Sequence, residues 1–122
     1  MRRALLLLVF CSCSRDNSPG AVAQRGWHAH DLVLRAGEAA PSCAAAGPAM
    51  QAVLVEQRQV LLDAVALEAD KDRVSEAADY IAGHPDDFPD LDDRTEAFAQ
   101  KCGADPGVAA ALRRMANPDQ PE

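Results

Sequence analysis

The sequence predicts an all-α fold, a small bundle of four or five short helices stapled by one disulfide. Three observations predict it. Apolar residues recur at helical spacing in several stretches, with helix start and stop residues at their ends. No stretch alternates apolar and polar residues as a half-buried strand does. Alanine is abundant, 25 of 122 residues, while only 4% are aromatic. Alanine-rich helices approach closely, but each contact buries little area, so the core needs a covalent staple.

The first helix is expected over residues 31–40, where Leu32, Val33, Ala36 and Ala40 form a modest face that Gly37 weakens. The longest helix is expected to start at Gly47-Pro48, proline standing where its missing N–H costs nothing, and to run to residue 69. Met50, Val53, Leu54, Val60, Leu61, Ala64 and Leu67 fall on one of its faces. Val55 and Leu62 make a narrower line on the nearly opposite side, a partner surface if the fold leaves it exposed.

Val74, Ala77, Ala78 and Ile81 form a stripe rotated from the preceding one, which implies a kink or break between Asp70 and Arg73. Gly83-His84-Pro85 then stops the helix, the glycine in a left-handed conformation and the proline refusing continuation. In the next helix Leu91, Phe98 and Cys102 share a side, Asp93 and Glu96 stand as a capping-box-like pair, and Gly103 closes it. The last helix has Asp105 as N-cap and Pro106 in its first turn. It turns Val108, Ala111, Leu112 and Met115 inward and ends on Arg113, Arg114 and Asn117 before Pro118.

The N-terminus carries a different signal. Arg2 and Arg3 precede an apolar run over residues 4–10, the positive and apolar regions of an export signal. That run is far short of the roughly 20 residues that cross a bilayer. Phe10-Cys11-Ser12-Cys13 resembles the lipobox of bacterial lipoproteins: Ser12 is the small residue before the modified cysteine, while Phe10 stands where the family usually has leucine. The resemblance covers about the first 14 residues and implies a lipid on Cys13. The alternative is cleavage after Ala23, where Ala21-Val22-Ala23 is a small-x-small site. The chain therefore divides into an export signal over residues 1–13, a flexible tether over 14–26, a helical domain over 27–116 and a disordered tail over 117–122.

Either route leaves Cys43 and Cys102 as the remaining pair. An even pair in an oxidising compartment reads as a structural disulfide, here closing a loop worth about 4 kcal/mol in unfolded-chain entropy. A redox role would want the Cys-x-x-Cys spacing, which is not present.

A formal net charge of −7 gives no footprint for nucleic acid, which needs clustered Lys and Arg. No catalytic motif, phosphate loop or haem-attachment sequence stands in the chain, so an enzyme is not expected and no cofactor is implied. The nearest approach to metal chemistry is His28-x-His30, which chelates only if that stretch is extended, and the acidic run containing Asp90 and Asp92. That run lacks the calcium-loop pattern, so no metal site is expected there, and its carboxylates read as caps for the next helix. The expectation is a small exported, lipid-anchored envelope protein that acts without catalysis by binding another envelope protein and meets the membrane only through its anchor. The alternative is a periplasmic domain that binds a metal or a small ligand.

Overall fold

A computed structural model describes residues 15–120, and among these the chain forms six α-helices and one 3-10 turn, with no strand. The helices are α1 (Pro19–Ala39), α2 (Cys43–Glu56), α3 (Arg58–Glu68), α4 (Lys71–Gly83), α5 (Asp92–Cys102) and α6 (Pro106–Ala116); the 3-10 turn is Pro85–Asp87. The export signal and Cys13 lie outside the described residues, as do residues 121 and 122.

Helix α1 is the hub, touching all five of the others. It is also the largest departure from expectation. Residues 19–26, read as tether, are its first two turns, and Asp16 to Ser18 are tied down beside them. Arg25 Nη1 donates to the Asp16 carbonyl at 2.7 Å, and Arg73 Nη2 donates to the Asn17 carbonyl at 2.8 Å. The physical reason is a stripe of small residues: Val22, Gly26, Ala29, Val33 and Gly37 are all buried, three or four positions apart. At Gly26 the approach to α3 is so close that a Cβ would sit 2.9 Å from the Cβ of Ala64.

The expected helix over residues 48–69 is two helices. α2 begins five residues earlier, where the Ser42 hydroxyl accepts from the Ala45 amide at 3.2 Å, so Pro48 stands inside the helix. There its missing N–H leaves the Ala44 carbonyl, at an exposed residue, without its usual helical bond from position 48. Gln57, at φ −96° and ψ 8°, then separates α2 from α3. The bend lets α2 pack on α1 and α6 while α3 packs on α1 and α4.

The break at Asp70 is present: its Oδ1 accepts from the amides of Asp72 and Arg73 at 3.1 and 3.2 Å and opens α4. Gly83 ends that helix, but no glycine has positive φ among the described residues, so the stop is not a left-handed cap. The chain turns instead through His84, whose amide donates to the Ile81 carbonyl at 3.1 Å, and Pro85 follows. The Asp93–Glu96 capping box does not form. Leu91 holds the N-cap position of α5, and the Asp90 Oδ1 accepts from the Asp92 amide at 2.8 Å. α6 follows expectation, the Asp105 Oδ1 accepting from Gly107 and Val108 at 2.9 and 3.1 Å.

Two attachments fix α5. The Cys43–Cys102 disulfide joins the start of α2 to the end of α5, with Cα atoms 5.2 Å apart. On α1, buried Asp31 receives Arg94 at 2.9 Å and Arg35 at 2.9 Å, and Arg94 also pairs with Glu38 at 2.6 Å. Burial alone would raise the Asp31 pKa, but the hydrogen bonds and charges of Arg94 and Arg35 outweigh it and hold the carboxyl below its ordinary range. Across the bundle α2 and α6 meet backbone to backbone: a Cβ on Gly47 would lie 2.7 Å from the Gly107 carbonyl carbon.

Candidate functional site

The buried apolar residues fall into two clusters. The larger joins α1, α2, α3, α5 and α6 through Val33, Leu34, Met50, Leu54, Phe98 and Val108 among others. The smaller consists of Val22, Leu67 and Ala77, with Ala23 against it. Protein cores are normally filled to crystal-like density, with few voids larger than a water molecule. Here a cavity of about 370 Å³ is walled by members of both clusters, Leu61 and Met115 from one and Leu67 and Ala77 from the other.

Five parts of the chain build it. α1 contributes Gly26, Trp27 and His30. α3 contributes Ala64, Val65 and Glu68 beside its two leucines, and α4 contributes Val74, Ala78 and Ile81. Phe88 closes one side from the loop after the 3-10 turn, and Ala116 and Pro118 close another. Pro118, expected in a disordered tail, is buried and forms part of the wall, while Asn117, Asp119 and Gln120 around it are exposed. Val74 and Ile81 stand at 37% and 38% exposure, so they form a rim rather than a sealed wall.

Three of the four aromatic residues among the described residues, Trp27, Tyr80 and Phe88, meet at this side of the fold. The Trp27 Nε1 donates to the Pro89 carbonyl at 3.0 Å and pins the loop onto α1. Phe88 meets the Trp27 ring edge-on at 6.5 Å and the Tyr80 ring edge-on at 6.1 Å. Tyr80 in turn stacks on His84 at 4.1 Å. Such edge-to-face pairs add modestly to the area they bury and hold the rings in a fixed arrangement.

Two polar side chains line the cavity among the described residues, His30 and Glu68. His30 is half-buried, and that burial holds its pKa below the ordinary 6.5 while the Glu68 charge opposes the shift. The imidazole is therefore neutral at pH 7. Glu68 is exposed, so its carboxylate keeps contact with water at the edge of the cavity.

The residues singled out from sequence are not brought together. On helical α1, His28 and His30 are two positions apart and point to different sides. His28 is exposed and lines a second cavity of about 490 Å³, shared with Arg25, Gln57 and Asp87 on another side of Trp27. Asp90 and Asp92 are joined by the helix-opening bond, and no group of three or more His, Cys, Asp or Glu side chains is placed to hold a metal ion among the described residues. The line of Val55 and Leu62 is divided by the bend at Gln57: Val55 is 63% exposed on α2, while Leu62 is half-buried on α3.

No family model matches the chain, and no curated protein or solved structure matches it either. The cavity's chemistry therefore rests on its own residues. Sequence reading passed over Trp27 and Phe88 as wall residues and took His30 only as half of a chelate. The spacing of Gly26, Trp27 and His30 to one side of α1 was the available signal, hidden because glycine and histidine do not count as apolar.

Proposed function

We propose that this chain is an exported, non-catalytic binding module of the bacterial envelope that holds a small, largely apolar ligand between α1, α3 and α4. The observation that carries the reading is a half-open cavity of about 370 Å³ between the two apolar clusters, with aromatic and aliphatic walls and few polar groups. Its size and lining are those of small-molecule pockets, which are mostly apolar with a small number of placed polar groups. A binding role is favoured over catalysis because the two polar side chains stand without a serine, threonine, cysteine or lysine in the lining among the described residues.

Attachment through a lipid on Cys13 remains part of this proposal. What supports it over cleavage after Ala23 is the place of residues 19–23 in α1. Cutting there would remove Val22 from the smaller core cluster, Ala23 from the cavity wall, and Gly20, against which the Tyr80 ring lies too closely for a Cβ to fit. The disulfide suits an oxidising compartment, and no helix among the described residues is long and apolar enough to cross a membrane.

The test is titration of the domain from residue 14 onward with Nile red, a neutral apolar dye, followed by displacement with 1-octanol. Saturable single-site binding that is lost in Ala78→Trp, where an indole would fill the cavity from α4, is the expected result. Unsaturable or unchanged dye fluorescence would remove the ligand reading. The intact mass from a Gram-negative host tests the anchor: a diacylglyceryl-modified Cys13 is expected, and a chain starting at Gln24 would overturn it.

A second reading, another envelope protein as the partner, is favoured by the rim. Val74 and Ile81 lie two turns apart on one face of α4 and leave over a third of their surface in water. An apolar side chain of a partner would enter the same cavity. Val74→Asp and Ile81→Asp would then abolish complex formation in cross-linking on intact cells, whereas a small-ligand site would keep its cross-linking pattern.

A further inference from the structure

We infer that the ligand of the α1–α3–α4 cavity is a hydrophobic amine, an apolar body carrying one positive nitrogen that is read by Glu68. This rests on the proposed ligand-binding role and names the chemistry of the head group. The body is set by the walls, since Leu61, Val65, Ile81 and Met115 offer a long or ring-shaped hydrocarbon nothing to hydrogen-bond.

The head is set by charge. Glu68 is the one ionised side chain in the lining among the described residues, with no Lys or Arg there to neutralise it. A carboxylate, sulfate or phosphate head would enter against that charge with no cation to receive it. An ammonium would find the Glu68 carboxylate at the edge of the cavity and the aromatic residues Trp27 and Phe88 among its walls. His30 does not oppose it, because burial keeps the imidazole uncharged at neutral pH and able to accept a hydrogen bond. The net charge of −7 adds a general attraction for cations to this local choice.

The decisive experiment compares n-octylamine, 1-octanol and octanoate, three ligands with one tail and three heads, below their micelle concentrations at pH 7.5. Binding is read from Trp27 emission, since this is the chain's single tryptophan and part of the wall. The expected order is amine, then alcohol, then carboxylate, with about a tenfold span from first to last, as one partly exposed ion pair exchanged for one repulsion provides. Glu68→Gln, at an exposed position that the fold does not need, should bring the three within about threefold while leaving octanol unchanged.

Octanoate binding as tightly as the amine, or a Glu68→Gln variant that keeps the full preference, overturns the head-group inference while the cavity reading stands. Octylamine binding that survives Ala78→Trp also overturns it, because the amine is then held by the acidic surface. If none of the three tails binds, the cavity reading fails, and the head-group inference with it.

Discussion

Opening the Cys43–Cys102 bond should cost the domain a large share of its stability. The two cysteines are 59 positions apart. On the chain-entropy account, releasing a loop of that size frees the unfolded chain by about 4 kcal/mol. Against that stands a total of about 5–15 kcal/mol for an ordinary domain, and less is expected where alanine replaces larger core residues. What would still hold α5 without the bond is the burial of Phe98, the half-buried Leu91 and the reach of Arg94 to Asp31. The assay is urea unfolding followed by far-ultraviolet circular dichroism on the oxidised chain, the same chain in reductant, and Cys43→Ala/Cys102→Ala. With a slope of about 1–2 kcal/mol per molar, the midpoint should fall by about 2–4 M in both bond-free forms. A loss below about 1 kcal/mol in both would refute the reasoning. It would mean that the unfolded chain is already compact around residues 43–102, so that the bond removes little freedom.

Three further outcomes follow from the same contacts. Asp31→Asn removes the charge that Arg35 and Arg94 share and should lower stability at pH 7 by about 2 kcal/mol in urea unfolding. Because the Asp31 pKa is held below 3.8 in the fold, its contribution is present above pH ~4 and lost as the pH falls through the depressed value, so the variant should show a flatter acid limb. His30 behaves with the opposite charge type: its pKa is lowered from 6.5, the unfolded chain takes the proton first, and stability should fall as pH drops below about 6.5. Melting temperatures of His30→Gln at pH 7.5 and 5 should differ less than those of the natural chain. Asp105→Ala removes both acceptor bonds at the start of α6 and should cost about 1 kcal/mol, with helix content otherwise unchanged by circular dichroism.

The parts of the fold that local chemistry decides could be read in advance. Asp105-Pro106 opens α6 through bonds within its own first turn, and Asp70 opens α4 in the same way. The cystine followed from cysteine parity and an expected oxidising compartment. What could not be read was decided between elements. The first turns of α1 contain Pro19, Gly20 and Gly26, residues that look like a linker until α3 and α4 lie against them. The bend at Gln57 has no proline or glycine to announce it; it exists because α2 and α3 pack on different neighbours. The capping-box pair at Asp93 and Glu96 does not form because the helix starts earlier, with Leu91 at the N-cap, which puts Asp93 inside the first turn. The cavity belongs to no single stretch, since its walls come from different helices, a loop and the segment after α6, and its volume exists only where they fail to meet.

Gly47 sets how closely α2 and α6 may approach. It leaves room for the Gly107 backbone, 2.7 Å from where a Cβ would stand, whereas a Cβ on Gly107 would meet Gly47 at an ordinary contact of 3.7 Å. Any side chain at position 47 would push the backbone of α6 away from α2. Gly47 therefore sets the spacing of the two helices, and because Met115 on α6 and Pro118 beyond its end line the cavity, that spacing sets where this wall stands as well.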